Sequence, residues 1–450
     1  MRLATHHSLL LVIGLTVFII GVLIFFNLFT IWWVLALAGV IVVSLLLGDH
    51  LWALALLIPL SVPIGRIGTI IVGQSYRYEI TATEAALLVL GAILLYAIAW
   101  GTIAWHRVPM MERLWYALLV LAYGSLLWIV DGAKYLVGVR LLTYQFLSFL
   151  IPFTVVRSMR GRWASLWAIV ISGMVMAAQL LWTLFQYPSI QKYFAQRSLV
   201  ETSVGPMAFV VAIIVLLLPF AVIIGFHNHG VLRWIAWTFA SIGGIAIIAS
   251  VGRAALVAGF ASSTFLYWQI GKGWTFLKRS AIIGIVLLVL ASGGSFLPSL
   301  IIERFTSIVN SSGSAQFRIE EARTGLTVFR RHVLLGAGAG NLKYYYQRLF
   351  NGYSGESNNI IVQMAGEYGL VGLALLLGWV VAIRRALRAV RRYSHGRESH
   401  LMLVGFSSSL AAAAIHGMFE VTFFGLMYGV LFWYLMGMMA AWGQEADCVK

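Results

Sequence analysis

Three arginines are the first candidates for chemistry in a chain dominated by apolar residues. Arg304 and Arg318 lie in one long polar stretch, residues 300–356, and Arg253 lies between two apolar runs with almost no loop. An arginine at membrane depth is costly unless it is paired or faces a polar cavity. A guanidinium group matches phosphate oxygens with two parallel hydrogen bonds. These positions predict a phosphate-binding site. The alternative is structural ion pairing, which we favour for Arg304 and Arg323.

The composition indicates an integral membrane protein. Of the 450 residues, 61% are hydrophobic and 10% are charged, whereas soluble domains carry about 25% charged residues. The net charge of +16 is then a topology signal and an attraction to anionic lipid, so no nucleic-acid partner is expected. The only cysteine, Cys448, leaves no intrachain disulfide, and histidines with zinc spacing do not occur. Neither a cofactor nor a metal is expected.

Apolar runs predict an all-α fold, a polytopic transmembrane helical bundle of about 14 spans. One large helical extracytoplasmic loop interrupts it. The predicted division is residues 1–299 with spans 1–11, the functional loop at 300–357, and residues 358–450 with spans 12–14. The runs lie near residues 8–27, 29–47, 50–65, 83–103, 112–131, 141–157, 163–187, 203–226, 232–250, 254–270, 279–298, 358–382, 400–417 and 421–442.

Basic connections set the orientation. Residues 384–397, RRALRAVRRYSHGR, are the strongest cytoplasmic signal, and residues 107–113, 157–162 and 272–279 agree with it. With about 14 spans, both termini are then cytoplasmic and residues 300–356 lie outside. We expect no internal repeat and no broken helix of the kind that transporters use, which disfavours that rival class.

Inside the loop, an apolar 3–4 spacing predicts a helix that Ser312 or Ser314 caps and that three glycines end. Arg318 and Glu321 would share a face apart from the apolar positions. Arg330, Arg331 and His332 suit the last turn of this helix. The apolar positions are Ile319, Ala322, Leu326 and Phe329, and the glycines are Gly336, Gly338 and Gly340.

Four further groups have both a functional and a structural interpretation. The glycine run lacks a preceding strand and a P-loop lysine, so a tight turn or close backbone approach is favoured over nucleotide binding. The tyrosines at 344–346 suit a sugar platform or an interfacial belt. His416 and Glu420, four residues apart, suit acid–base chemistry or a helix contact. Glu367, inside a predicted span, is a functional candidate.

Several of these segments occur in the order of a known family. They are Ser250-Val-Gly-Arg253, Glu303-Arg304-Phe305, Arg318, the run from His332 through Gly336, Gly338 and Gly340 to Asn341, the pair Asn358-Asn359, and the run from Glu367 through Gly369 to Gly372. Together they resemble the O-antigen ligase and O-antigen polymerase family over the last half of the chain. The chain departs from that pattern at three positions, with Ala322 for a tryptophan, Val333 for a proline and Asn358 for a histidine.

The resemblance implies a GT-C-type glycosyltransferase that works without a metal at the outer face of the bacterial cytoplasmic membrane. The donor would be a glycan on undecaprenyl pyrophosphate. The acceptor would be a lipid-linked glycan for an O-antigen polymerase, our first choice, or lipid A core for an O-antigen ligase. A chain-length regulator is a further partner left open, and a lipid-linked sugar flippase is the rival from another class.

The candidate site residues combine the resemblance with the residue chemistry. Asparagine cannot accept a proton at neutral pH, so the general base is left open among His416, Glu356 and Glu420. The catalytic candidates are Arg253, Arg318, Asn358 and His416, and the substrate-binding candidates are Arg304, Gly338, Asn341, Tyr345, Glu356 and Asn359.

Overall fold

The chain is described by a computed structural model. The described residues are 52–72, 76–99, 109–186, 201–202, 204–250, 252–270, 314–349, 357–393, 396–420, 423 and 425–448. Three predicted spans, near residues 8–27, 29–47 and 279–298, lie outside these ranges.

Helices make up most of the described residues, and we number them in chain order. They are α1 (Trp52–Ala55), α2 (Leu57–Ser61), α3 (Ala82–Ala99), α4 (Met110–Gly124), α5 (Gly132–Val155), α6 (Met159–Phe185), α7 (Met207–His227), α8 (Gly230–Ser250), α9 (Arg253–Ile270), α10 (Ser314–Arg331), α11 (Leu342–Leu349), α12 (Ile360–Tyr393), α13 (Arg397–Gly417) and α14 (Leu426–Cys448). Short 3₁₀ turns follow α2 and α4, at Val62–Ile64 and Ser125–Leu127.

Nine helices of the described ranges are long and apolar enough to cross a membrane, namely α3 to α8 and α12 to α14. All nine coincide with predicted spans, so the polytopic helical fold is confirmed. Helix α5 begins well before the predicted start at residue 141. The apolar stretch Trp52–Ile64 is shorter, and its 13 residues would span only about 20 Å. That is less than the roughly 30 Å of a bilayer core.

Two small sheets are the part of the fold that the sequence interpretation missed. Strands β1 (Arg66–Val72) and β2 (Tyr76–Thr81) pair antiparallel, from Arg66↔Thr81 to Val72↔Tyr76. The sequence explains this strand pair locally. Gly65 turns the chain at φ 72°, and the RIGTIIV stretch is rich in β-branched residues, which favour strands. Strands β3 (Glu201–Thr202) and β4 (Gly205–Pro206) form the second pair.

The expectation of unbroken helices was wrong for α12. Gly369 has φ 63° and ψ −150°, and it separates two helical segments within α12. Only glycine adopts this backbone conformation at little cost. The break lies next to the glycine run of residues 336–340, as described below.

The two ends of the helical bundle are formed by different segments of the chain. At one end Arg385 contacts Met110 through Nη1 and Sδ at 3.5 Å, and Arg162 pairs with Glu445. The predicted cytoplasmic connections before α4, after α5 and after α12 therefore gather at this end. The opposite end holds the start of α5, the start of α12, the end of α13 and the two helices of the polar stretch.

Candidate functional site

Helix α10 carries the site and confirms the helix predicted inside the polar stretch. Its packing differs from the expected apolar face, because Ile319 and Leu326 are exposed. The buried positions are Glu321, Gly325 and Val328. A Cβ on Gly325 would contact Val362 of α12, so the small residue permits close helix contact. The prediction that Arg318 and Glu321 share a different face is confirmed, and that face is turned inward.

Two polar contacts join α10 to the ends of α12 and α13. Arg318 Nη2 donates to Glu420 Oε1 at 2.7 Å, with the two side chains 38% and 25% exposed. One turn along, Glu321 Oε2 accepts a hydrogen bond from Asn358 Nδ2 at 2.8 Å. We call Arg318, Glu321, Asn358 and Glu420 the α10 cluster. The structure thus brings together residues from three separate stretches of the chain.

Asn359 contacts both the start of α12 and the end of α13. Its Oδ1 accepts from the backbone N–H groups of Ile361 and Val362, at 2.8 and 3.2 Å. This is the arrangement of a helix N-cap. Its Nδ2 donates to Met418 O at 3.1 Å, just past the end of α13. Asn359 therefore fixes the start of α12 against α13, and its predicted substrate role stays a prediction.

His416 lies at the last turn of α13 and is buried. Its ring stacks on Tyr428 of α14 with 6.4 Å between centroids. The backbone N–H of Glu420 donates to His416 O at 2.9 Å, so the predicted one-turn relation between the two residues is observed. The Glu420 carboxylate turns to Arg318. The catalytic role of His416 stays a prediction.

Arg253 is the first residue of α9, and its backbone position can be compared with the cluster. Ser262 Oγ of α9 donates to Ser408 O of α13 at 2.9 Å, and the two helices run antiparallel. Arg253 lies nine residues before Ser262, and Gly417 lies nine residues after Ser408. The backbone of Arg253 is therefore at about the same height along the bundle as Gly417, the last residue of α13. The two predicted catalytic arginines thus lie at the same end of the bundle.

The glycine run docks into the break of α12. The backbone N–H groups of Ala337 and Gly338 donate to Gly366 O and Glu367 O at 2.8 and 2.9 Å. In return, Leu370 N and Val371 N donate to the carbonyls of Val333 and Leu334 at 2.8 and 3.3 Å. The groups that a helix break leaves unpaired are satisfied by this loop. The favoured interpretation, a close backbone approach, is confirmed.

The other side of the glycine run contacts the start of α5. Asn341 is buried, and its Oδ1 accepts from Val130 N and Asp131 N at 3.1 and 2.9 Å. A Cβ on Gly338 would lie 2.9 Å from Ile129 Cγ2, and its φ of 92° also favours glycine. These contacts are structural for both residues, and their predicted substrate-binding roles stay predictions.

The three tyrosines do not form one surface. Tyr346 is fully buried, whereas Tyr344 and Tyr345 are partly exposed. Tyr345 Oη shares a hydrogen bond with His332 Nε2 at 3.0 Å. The ring of Tyr344 has Lys134 Nζ at 5.7 Å and the Arg348 guanidinium at 5.0 Å. Burial is the main cause that raises the pKa of Tyr345, so this phenol stays protonated and can donate.

Glu367 and Arg323 each contact a polar side chain on their own helix. Gln363 Nε2 donates to Glu367 Oε1 at 2.7 Å, with both side chains buried. Arg323 Nη1 lies 2.7 Å from Glu320 Oε1 on the exposed side of α10, so the favoured ion-pair interpretation of Arg323 is confirmed. Arg304 and Glu356 lie outside the described residues, as does the side chain of Arg253.

Two members of the cluster were underrated from sequence. From the sequence, Glu321 was placed only on the same helix face as Arg318, and Glu420 was not expected to pair with Arg318. The one local signal was the three-residue spacing of Arg318 and Glu321 on a helix. Burial raises the pKa of Glu321 above the ordinary carboxyl value, while the Asn358 hydrogen bond and the Arg318 charge act in the opposite direction.

These features define the class: a polytopic helical membrane protein with a polar, folded loop docked on one end of the bundle. Within it, residues 238–377 match the family model described as O-antigen ligase. The matched segment includes Arg253, Arg318, Glu321 and Asn358, and it ends before α13. No curated protein matches the chain.

Proposed function

We propose that this protein is an O-antigen-type polymerase that joins oligosaccharide repeat units carried on undecaprenyl pyrophosphate. The observation that carries the proposal is the partly exposed guanidinium of Arg318, held by Glu420 at the meeting point of α10, α12 and α13. A fork-shaped cation in that position suits a diphosphate. The level placement of Arg253 at the end of α13 adds a second candidate cation.

The reaction needs a leaving group to be stabilised. The acceptor hydroxyl attacks the anomeric carbon of the donor, the bond from that carbon to the pyrophosphate oxygen breaks, and its electron pair leaves with the diphosphate. Arg318 balances the charge that grows there. Glu420 holds the guanidinium in place through Nη2, and the other N–H groups of the guanidinium donate to the diphosphate.

Apolar side chains beside the cluster support a lipid-linked substrate. Met418 and Phe419 lie between His416 and Glu420 in the chain, and both are exposed. Ile361, in the first turn of α12, is exposed as well. An apolar surface next to a cation is the combination that a polyprenyl diphosphate requires.

The two ends of the bundle support the proposed orientation. Arg384, Arg385, Arg388, Arg391 and Arg392 are exposed at the end of α12 that lies opposite the cluster. Basic residues favour the cytoplasmic side, so we place the cluster at the outer face of the cytoplasmic membrane. The predicted division into domains, with residues 300–357 as the functional loop, belongs to the same proposal.

The rival functions differ in substrate or in class. A ligase would transfer the glycan to lipid A core, and the same cluster would serve it. A flippase would use broken helices to bind substrate at the membrane midplane. Helix α12 is broken, but four backbone groups at its break form hydrogen bonds with residues 333–338. This engagement favours an enzyme over a flippase.

Arg318 gives the direct test, with Arg323 as a matched control on the same helix. The reconstituted protein would receive lipid-linked repeat units, and the products would be separated as a ladder. We expect Arg318→Ala to lower the rate at least about 100-fold, and Arg318→Lys to recover little because an ammonium lacks the fork. Arg253→Ala should also abolish the ladder. Arg323→Ala, which breaks only an exposed pair, should keep it.

The outcomes separate the candidates. A normal ladder from Arg318→Ala would refute the proposed site. Product that forms only when lipid A core is supplied would identify a ligase. Transbilayer movement of the lipid-linked unit without any new glycosidic bond would identify a flippase.

A further inference from the structure

Glu321 is a buried carboxylate with one unused oxygen. The residue is 1% exposed, and Oε2 accepts from Asn358 Nδ2 at 2.8 Å. The other oxygen, Oε1, is buried and has no hydrogen-bond partner within the described ranges. A buried acceptor without a donor is destabilising. This arrangement suggests that a ligand supplies the missing donor.

The groups around Glu321 suit proton transfer. Arg318 lies on the same helix, and Glu420 and His416 approach from the end of α13. The start of α12 contributes the amide of Asn358. Burial raises the pKa of Glu321, and the Glu420 charge adds to this, against the lowering effects of Asn358 and Arg318. A carboxylate with a raised pKa is a stronger base than one in water.

We propose that Glu321 is the general base of the transfer reaction and that Asn358 positions its carboxylate; this inference rests on the proposed function. The hydroxyl of the acceptor sugar donates its hydrogen bond to Oε1. As the oxygen of that hydroxyl forms its bond to the anomeric carbon, its proton passes to Oε1. The electron pair of the breaking bond leaves with the diphosphate beside Arg318. Glu321 then releases the proton to water.

The neighbouring polar groups are less suited to this role. The amide of Asn358 cannot accept a proton at neutral pH, and it already donates to Glu321. Glu420 is engaged by the guanidinium of Arg318 at 2.7 Å. Glu320, the adjacent residue in sequence, is turned to the exposed side of α10 and pairs with Arg323. Glu321 combines proton-accepting chemistry, burial and an unused oxygen.

The test compares the same substitution at two adjacent residues. Glu321→Gln keeps the shape and an acceptor for Asn358, but it cannot take a proton. We expect kcat to fall at least about 100-fold with KM for the lipid-linked unit unchanged within about threefold. Glu320→Gln should keep wild-type kinetics. Asn358→Ala should lower kcat less than Glu321→Gln does, because it removes the positioning group and leaves the base.

The dependence of kcat on pH separates a general base from a structural residue, because a purely structural role of Glu321 would not produce a titration in kcat. Wild-type kcat should rise with pH through the raised pKa of Glu321 and then level off. Glu321→Gln should lose this rise. A flat wild-type profile would overturn the inference even if the variant failed to fold.

The inference and the proposed function can fail separately. Loss of activity in Arg318→Ala together with normal kcat in Glu321→Gln would overturn the base assignment and leave the function standing. No ladder from the wild-type protein would overturn the function itself. Equal losses in Glu321→Gln and Glu320→Gln would also reject a specific role for Glu321.

Discussion

The docking of the glycine run depends on Gly138, and a single methyl group tests it. Gly138 lies in the second turn of α5. A Cβ built there would lie 2.6 Å from Gly340 N and 2.9 Å from the carbonyl carbon of Ala339. Both neighbours are backbone atoms, which cannot rotate away as a side chain does. Gly138→Ala should therefore push the run away from α5.

The magnitude follows from two opposed effects. Alanine is favoured over glycine inside a helix by about 0.5–1 kcal/mol. Overpacking against atoms that cannot move costs about 1–3 kcal/mol, so we expect a net loss of up to about 2.5 kcal/mol. Gly244 of α8 is the matched control, because nothing lies within 4 Å of a Cβ there. Gly244→Ala should be neutral or stabilising.

The assay is thermal unfolding of both variants in detergent, with limited trypsin digestion as a second measurement. Arg330 and Arg331 are exposed at the end of α10, and an undocked loop should be cut there faster. We expect Gly138→Ala to unfold at a lower temperature than Gly244→Ala and to be cleaved sooner. Equal midpoints and equal cleavage would refute the reasoning that backbone contact holds this loop in place.

Two further predictions concern stability. Asn341→Leu leaves the backbone N–H groups of Val130 and Asp131 without their acceptor and should cost about 2–6 kcal/mol, at about 1–3 kcal/mol for each donor; a denaturant midpoint equal to wild type would contradict it. Arg140 donates from Nε to the buried Glu84 at 2.7 Å, so Arg140→Ala should cost about 3–5 kcal/mol. Adding Glu84→Gln should recover much of that loss in thermal unfolding, and no recovery would argue against an uncompensated charge.

The helices were predictable because their signal is local. Each predicted span that falls within the described residues has an apolar helix, although Trp52–Ile64 is shorter than expected. The hairpin β1–β2 was missed because spans were assigned from apolar runs, and strand pairing depends on contact between two segments. The break at Gly369 was missed because a glycine inside an apolar run is ordinarily tolerated in a helix.

The sequence by itself was enough to nominate candidate residues, of which Arg318, Asn358 and Asn359 lie at one end of the bundle. The order of the arginine, the glycine run and the asparagine pair was enough to suggest the resemblance, and the model described as O-antigen ligase matches the segment that contains them. The helical spacing of Arg318 and Glu321 was also readable, since three residues bring two side chains to one face.

Only the tertiary structure decided the partners. Arg318 meets Glu420 across 102 residues, and Glu321 meets Asn358 across 37. Asn341 meets Val130 across 211. Contacts at such separations depend on how helices pack, and a spacing rule along the chain cannot supply them. The burial of Glu321 with an unused oxygen was therefore set by the packing of α10 on α12, and the local pattern of α10 had pointed to a different face.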